Sequence, residues 1–102
     1  MTSPAKEKKI RVLLAEDHTL VRQGFRRILE DDPGIVVAGE ARTGIEAIEQ
    51  CKELKPDVVV MDLSMPELGG LEATAEILKA DPQIKILILS MYSNEAYVRK
   101  AF

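Results

Sequence analysis

The chain has 102 residues, of which 46% are hydrophobic and 30% charged, and its formal net charge is −3. This composition is typical of one globular domain, and no apolar run approaches the roughly 20 residues of a membrane helix. The acidic balance, with a pI near 5.2, argues against direct binding of nucleic acid. The single cysteine, Cys51, excludes an internal disulfide framework and predicts a cytoplasmic location.

Strand-like and helix-like patterns alternate along the chain after a solvated N-terminal tail at residues 1–9. Four β-rich runs predict strands at residues 10–15, 35–38, 57–61 and 84–89. The segments between them carry residues at helical spacing: Val21, Phe25, Ile28 and Leu29, then Ile45, Ile48 and Cys51, then Leu71, Thr74, Ala75 and Leu78. This alternation predicts a parallel sheet with right-handed crossovers and helices on both faces.

Polar side chains stand at the ends of the predicted strands. Glu16 and Asp17 follow the first strand, Asp62 follows the third, and Ser90 follows the fourth. Ligands of such sheets bind beyond the carboxyl ends of the strands. If the first and third strands are neighbours, three carboxylates converge and resist ionisation unless a cation is present. A small, hard divalent ion with oxygen ligands fits this arrangement, and the sequence predicts Mg²⁺ beside Asp62.

Three stretches of the chain carry a family resemblance. "LLAEDHTLVRQGF", "VVVMDLSMPELGGLEA" and "ILILSMYSNEAYV" together resemble the receiver domains of two-component response regulators, most closely the NarL/FixJ (LuxR-type) subgroup. The resemblance covers residues 10–102 and implies a flavodoxin-like, three-layer α/β/α sandwich with strand order 2-1-3-4. Subgroup members usually carry a C-terminal helix-turn-helix domain that binds DNA, so transcription regulation would act through a domain absent from this chain.

The resemblance also assigns a role to each site residue. Asp62 would be the phosphoacceptor for a phosphoryl group from a sensor histidine kinase. Asp17 and Asp62 would bind Mg²⁺ by their side chains, Ser64 by its backbone carbonyl, and Glu16 through a water molecule. Ser90 would donate a hydrogen bond to the phosphoryl group and draw its loop inward as the switching step. This implies a phosphoacceptor signalling domain rather than an enzyme, except for catalysis of its own phosphorylation and dephosphorylation.

One part of the family pattern has no counterpart before Phe102. Receivers carry a lysine on a fifth strand, whereas this chain stops within the expected fourth helix and so resembles a truncated receiver. The fifth strand and fifth helix would be missing, and phosphorylation of the fragment should be weak. The loss would leave strand four at the sheet edge, so residues 84–102 are expected to form a self-association surface.

Three alternative functions remain open at this point. The first is a receiver-like module that binds proteins without being phosphorylated. The second is an aspartyl-phosphate phosphatase, although such enzymes of the haloacid dehalogenase type need a second aspartate where Ser64 stands. The third is a nucleotide-binding module, which needs a glycine-rich loop where residues 16–19 are acidic.

We assign structural rather than catalytic or metal-binding roles to three other residues. We expect His18 to be a surface loop residue rather than a metal ligand, and Thr19 to be the N-cap of the first helix. Cys51 lies on the apolar stripe of the second helix and should be part of the core.

Overall fold

The computed structural model describes residues 9–89, which form a four-stranded parallel sheet with three helices. In chain order the elements are β1 (Ile10–Ala15), α1 (Thr19–Glu30), β2 (Ile35–Ala41), α2 (Gly44–Leu54), β3 (Val58–Asp62), α3 (Gly70–Ala80) and β4 (Lys85–Leu89). The strand order β2-β1-β3-β4 confirms the predicted fold class and topology. Within the described range, no helix combines the length and apolar character needed to span a membrane.

The helices cover both faces of the sheet and give it two hydrophobic cores. On one face, Val12 and Leu14 of β1 pack with Phe25 of α1. On the other face, the alternate β1 residues Leu13 and Ala15 pack with residues of α2 and α3, including Cys51. The burial of Cys51 confirms its predicted place in the core. Because β1 and β3 are neighbours that pair in parallel, their C-terminal ends meet at one edge of the sheet.

Strand β2 is three residues longer than the sequence predicted. It continues to Ala41, whose carbonyl accepts the backbone N–H of Glu16 at 2.9 Å. The pairing register with β1 shifts between Val12 and Leu13, which allows the ladder to continue past Gly39. The glycine and the acidic residue that follows it have low strand propensity, so pattern alone ended the strand too early. At β3 and β4 the first strand residue lies one position later than predicted.

The predicted N-cap of α1 is wrong. The cap is His18, in an extended conformation and without a side-chain capping bond, and Thr19 is the first helical residue. The Glu16 carboxylate accepts the His18 backbone N–H at 3.1 Å. This turn places the N-cap of α1 one residue earlier than the hydroxyl of Thr19 suggested.

Candidate functional site

Three carboxylates and one imidazole meet at the C-terminal edge of the sheet. Ala15 and Met61 are register partners in β1 and β3, so the residues that follow them, Glu16 and Asp62, come side by side. One ligand atom from each of the residues at the site lies within 4.8 Å of the others; these residues are Glu16, Asp17, His18 and Asp62. The structure therefore brings together the three carboxylates that the sequence placed at strand ends.

Asp62 is the most unusual group of the site. Its side chain is 1% exposed, and neither carboxylate oxygen has a hydrogen-bond partner within residues 9–89. Burial raises the pKa of Asp62, and the charges of Glu16 and Asp17 raise it further. The Ser64 backbone N–H and His18 lower the pKa without reversing this direction, and the Ser64 N–H does not reach hydrogen-bond geometry. A buried carboxylate without partners is costly, so the site favours an added cation.

The two other carboxylates differ in how fully they are engaged. Glu16 is buried, and its Oε2 lies 2.8 Å from His18 Nδ1 as well as accepting the His18 N–H. Asp17 Oδ1 is buried without a hydrogen-bond partner among the described residues, although His18 Nδ1 lies 3.2 Å away at an ion-pair distance. The oxygens without partners therefore belong to Asp17 and Asp62, while Glu16 already has one.

His18 contacts the site, which the sequence interpretation missed. Its side chain is largely exposed, as expected for a surface loop, yet its Nδ1 reaches both Glu16 and Asp17. The hydrogen bond to Glu16, followed by the charge of Asp17, raises the pKa of His18. The signal available in the sequence was its position directly after two acidic residues in a tight turn.

The donor set fits a small divalent cation. Hard ions such as Mg²⁺ prefer carboxylate and carbonyl oxygens, and they typically bind through one or two protein carboxylates. The buried Asp62 oxygens and Asp17 Oδ1 supply such atoms and have no hydrogen bonds to lose among residues 9–89. A cation here would relieve the repulsion within the acidic cluster.

The loop at residues 63–69 connects Asp62 to α3, and the backbone at the start of α3 lies close to the backbone of Asp62. A Cβ added to Gly70 would lie 2.3 Å from the Asp62 carbonyl oxygen, so α3 can begin there only with glycine. The left-handed residues of the loop are not glycines: Glu67 has φ 52° and Leu68 has φ 94°. Such conformations in side-chain-bearing residues are strained and often accompany functional loops.

The phosphoacceptor, metal-binding and switching roles of all five predicted site residues remain predictions, and two of these residues, Ser64 and Ser90, are not among the clustered side chains. Ser64 lies two residues after Asp62 with an exposed side chain, and the ligand role of its backbone carbonyl is still an expectation. Ser90 lies outside the described residues.

The sequence analysis also missed a buried arginine beside the site. Arg22 of α1 is 4% exposed, and its Nη1 donates to the Glu16 carbonyl at 2.9 Å. Its Nε donates to Glu40 Oε1 at 2.6 Å. Arg22 precedes Phe25 and Leu29 by three and seven residues, so it lies on the packed stripe of α1, and that spacing was the signal for its burial.

Comparison with known proteins decides the family. Residues 12–102 match the family described as the response regulator receiver domain. The chain belongs to this family. The order of its strands and the acidic edge of its sheet agree with the receiver resemblance inferred from its motifs.

The relatives of this receiver also support the predicted subgroup. It is 51% identical to the response regulator UvrY of Escherichia coli (strain K12) over 85 residues, which cover 83% of this chain and 39% of UvrY. It is 46% identical to the response regulator GacA of Pseudomonas viridiflava over 88 residues, which cover 86% of this chain and 41% of GacA. A LuxR-family two-component response regulator from Aurantimonas sp. SI85-9A1 superposes with a TM-score of 0.88 at 43% identity, covering 93% of this chain and 68% of that chain.

The receiver thus spans about two fifths of the length of the curated relatives it matches. The LuxR-family match confirms the NarL/FixJ (LuxR-type) assignment.

Proposed function

We propose that this receiver accepts a phosphoryl group on Asp62 from a phosphohistidine of a sensor histidine kinase. The observation that carries the proposal is the buried Asp62 carboxylate, which ends β3 and has no hydrogen-bond partner among residues 9–89. Its oxygen would attack phosphorus while the phosphorus–nitrogen bond breaks, and the electron pair would remain on the kinase imidazole. Ser90 would donate a hydrogen bond to the new phosphoryl group.

The same acidic residues would hold Mg²⁺. Asp17 and Asp62 would bind by the oxygens that have no hydrogen-bond partner among residues 9–89, and Ser64 would bind by its backbone carbonyl. Glu16 would act through a water molecule, because its Oε2 is already engaged by His18. When bound, the ion supplies positive charge that offsets the charge on the phosphoryl oxygens.

Acetyl phosphate with Mg²⁺, followed by intact mass measurement, tests the phosphoacceptor. The wild-type chain should gain one phosphoryl group in a small fraction of molecules, and Asp62→Asn should gain none. Asp57→Asn is the matched control, because Asp57 precedes the opposite end of the same strand and accepts the Arg11 N–H. A form extended through the fifth strand should label more strongly, because the family's lysine would then be present to pair with the phosphoryl charge.

The same experiment separates the alternatives. A receiver-like module that works without phosphorylation predicts no uptake in either form. A phosphatase predicts continuous release of inorganic phosphate rather than a stable mass gain. Uptake by Asp62→Asn equal to wild type would show that the phosphoacceptor has been wrongly assigned.

The exposed side of α1 is the surface that we propose for kinase binding. Leu20 is 84% exposed and Ile28 is 69% exposed, and Gly24 lies between them at four-residue spacing. These three residues form an apolar stripe along α1, and its first member lies two residues after His18 of the site. A helix of the kinase could lie along this stripe while its phosphohistidine reaches Asp62.

Substitution within the stripe should separate docking from chemistry. Leu20→Ser and Ile28→Ser should slow phosphoryl transfer from the kinase while labelling by acetyl phosphate stays unchanged. Leu78→Ser is the control, because Leu78 is a partly exposed leucine on α3. Equal slowing by all three substitutions would argue against α1 as the docking surface.

The output of the whole regulator is proposed from its relatives. A relative from Brevibacillus brevis, 37% identical over 98 residues, is named transcriptional regulatory protein DegU. We propose that phosphorylation controls a DNA-binding helix-turn-helix region outside this chain, and through it transcription in the cytoplasm. The receiver itself would act as a phosphoacceptor and would catalyse no reaction beyond its own phosphorylation and dephosphorylation.

Self-association through residues 84–102 is a separate proposal, and only residues 84–89 of that range are described. Within residues 9–89, β4 pairs with β3 alone, and Leu87 on it is half-exposed. An open strand edge with apolar side chains favours pairing with a second copy. Light scattering after size exclusion should show a dimer that Leu87→Lys weakens. A well-folded wild-type monomer at micromolar concentration, with protected amides along β4, would rule the surface out.

A further inference from the structure

Arg22 is a buried cation with two specific partners. A guanidinium removed from water is costly unless it is paired and hydrogen-bonded. Arg22 meets this requirement through Glu40 Oε1 at 2.6 Å and the Glu16 carbonyl at 2.9 Å. One side chain of α1 therefore joins an acidic residue of β2 to the backbone of the acidic pair at the site.

Glu40, the anchor of this arginine, is itself held by three side chains from two helices. Arg22 and Arg26 of α1 each donate to one of its carboxylate oxygens, and Gln50 of α2 donates to its backbone carbonyl at 2.6 Å. Burial acts to raise the pKa of Glu40, but the hydrogen bonds from Arg26 and Arg22 outweigh it and lower the pKa. The anchor is thus a carboxylate kept charged and fixed in place.

The contact with Glu16 fixes the peptide group that leads to Asp17. The Glu16 N–H donates to the Ala41 carbonyl at 2.9 Å, and the Glu16 C=O accepts from Arg22. With both backbone groups of Glu16 held, the direction in which the chain continues to Asp17 is set by contacts with β2 and α1.

We propose that Arg22 is a positioning residue for the cation site: it holds the Glu16 carbonyl and so orients the Glu16–Asp17 pair toward Asp62. The inference rests on the proposed Mg²⁺ site and adds a residue that touches neither the ion nor the phosphoryl group. Partners that orient metal ligands from outside contribute to metal affinity because they reduce the reorganisation needed on binding.

Mg²⁺ titration of the wild-type chain and its variants, followed by amide chemical shifts, tests the proposal. Arg22→Met should weaken Mg²⁺ binding by about tenfold, the lower end of the effects seen for outer partners of metal ligands. Arg26→Met is the matched control, since Arg26 also bonds Glu40 but makes no hydrogen bond to Glu16 within the described range. The Mg²⁺ affinity of this variant should equal that of the wild type. Arg22→Lys should be intermediate, because an ammonium lacks the planar fork that reaches two partners at fixed geometry.

A general loss of stability must be separated from lost positioning. Ile77→Val is the control for stability. Ile77 of α3 is buried in the hydrophobic core next to Ile84, at the end of the sheet opposite the site, so this substitution should lower the free energy of unfolding. It should leave Mg²⁺ affinity unchanged. If Arg22→Met does not fold, the comparison of Arg22→Lys with Arg26→Lys decides the question in the same way.

The outcomes distinguish this inference from the function on which it rests. Wild-type Mg²⁺ binding with equal affinity in folded Arg22→Met would overturn the positioning role and leave the metal site standing. Equal weakening by the Arg22 and Arg26 substitutions would also overturn it. No Mg²⁺-dependent shifts at residues 16–18 and 62–65 of the wild type would overturn the metal site and the positioning role together.

Discussion

Replacing Asp62 by asparagine should stabilise the fold in the absence of divalent ions. The substitution keeps the shape of the side chain and removes one of three carboxylates whose oxygens lie within 4.8 Å of one another. At about 5 Å and an effective dielectric constant of about 20, two like charges repel by about 3 kcal/mol. Because Asp62 is buried and its oxygens have no hydrogen-bond partners within residues 9–89, asparagine loses no such bond there.

Several effects reduce the gain below this Coulomb figure. The imidazole of His18 offsets part of the repulsion between the carboxylates. Because the pKa of Asp62 is raised, the wild type can also relieve the repulsion by protonating Asp62, at some cost in free energy. The new amide also brings N–H groups that need partners. We therefore expect a net stabilisation of about 1–2 kcal/mol, which corresponds to a rise in Tm of about 5–10 °C for a domain of this size.

Thermal unfolding in EDTA, followed by circular dichroism, measures the effect. Added Mg²⁺ should stabilise the wild type more than Asp62→Asn and so narrow the gap, because ligand binding to the native state adds stability. Since the pKa of Asp62 is raised on folding, the wild type loses stability as the pH rises through that pKa. The advantage of Asp62→Asn should therefore fade below about pH 4, where the unfolded carboxyl is protonated.

Asp57→Asn provides the control. Asp57 is exposed and its Oδ2 accepts the Arg11 N–H at 2.8 Å, so its substitution should not stabilise the fold. If Asp62→Asn in EDTA is no more stable than the wild type, the repulsion inferred at the sheet edge is wrong.

Three further predictions concern the stability of the fold. Gly70→Ala should destabilise the protein and shift the Asp62 amide resonance, because its Cβ would lie 2.3 Å from the Asp62 carbonyl oxygen. Gly24→Ala should instead stabilise the protein by about 0.5–1 kcal/mol, since the added Cβ meets nothing within 4 Å and alanine favours helix. Equal midpoints of urea unfolding for the Gly70→Ala and Gly24→Ala variants would contradict both predictions. Burial, with a smaller contribution from Asp81, raises the pKa of Cys51 to about 11. Stability should therefore fall as the pH rises from 9 toward 11, while Cys51→Ala, compared with its own stability at pH 8, should not show this loss.

The sheet and the acidic edge could be predicted from the sequence for a physical reason. Strands buried on both faces appear as short, continuous apolar runs, and the carboxylates that end them stand out against that background. Because β1 and β3 pair in parallel, their C-terminal residues must meet. Asp62 and Glu16 were therefore found without any knowledge of tertiary contacts.

The helix faces were less predictable. Leu78 has the spacing of a core residue but is exposed, and α3 instead buries Ala73 and Ile77. Apolar residues are spread around the three turns of α3, so their spacing leaves the direction of the buried stripe uncertain by one position.

The spacing of Arg22 on α1 indicated a packed position, but the partner that makes the burial of its charge possible could not be predicted from the sequence. Arg22 is buried while Ile28 on the same helix is exposed, the reverse of what hydrophobicity indicates. Its burial depends on Glu40, which is 18 residues away in the chain and comes within reach only because β2 extends beyond its predicted end. Such pairing is a tertiary property that no local pattern reports.

The most direct test of the central claim locates the phosphoryl group itself. The form of the receiver that is extended through the fifth strand is treated with acetyl phosphate and Mg²⁺, and the acyl phosphate is trapped by borohydride reduction. Peptide mass spectrometry then identifies the modified residue. Our account predicts modification at Asp62 alone, and none when Mg²⁺ is removed by EDTA. Modification at Asp17 or Glu16, or a site elsewhere with Asp62 untouched, would contradict it.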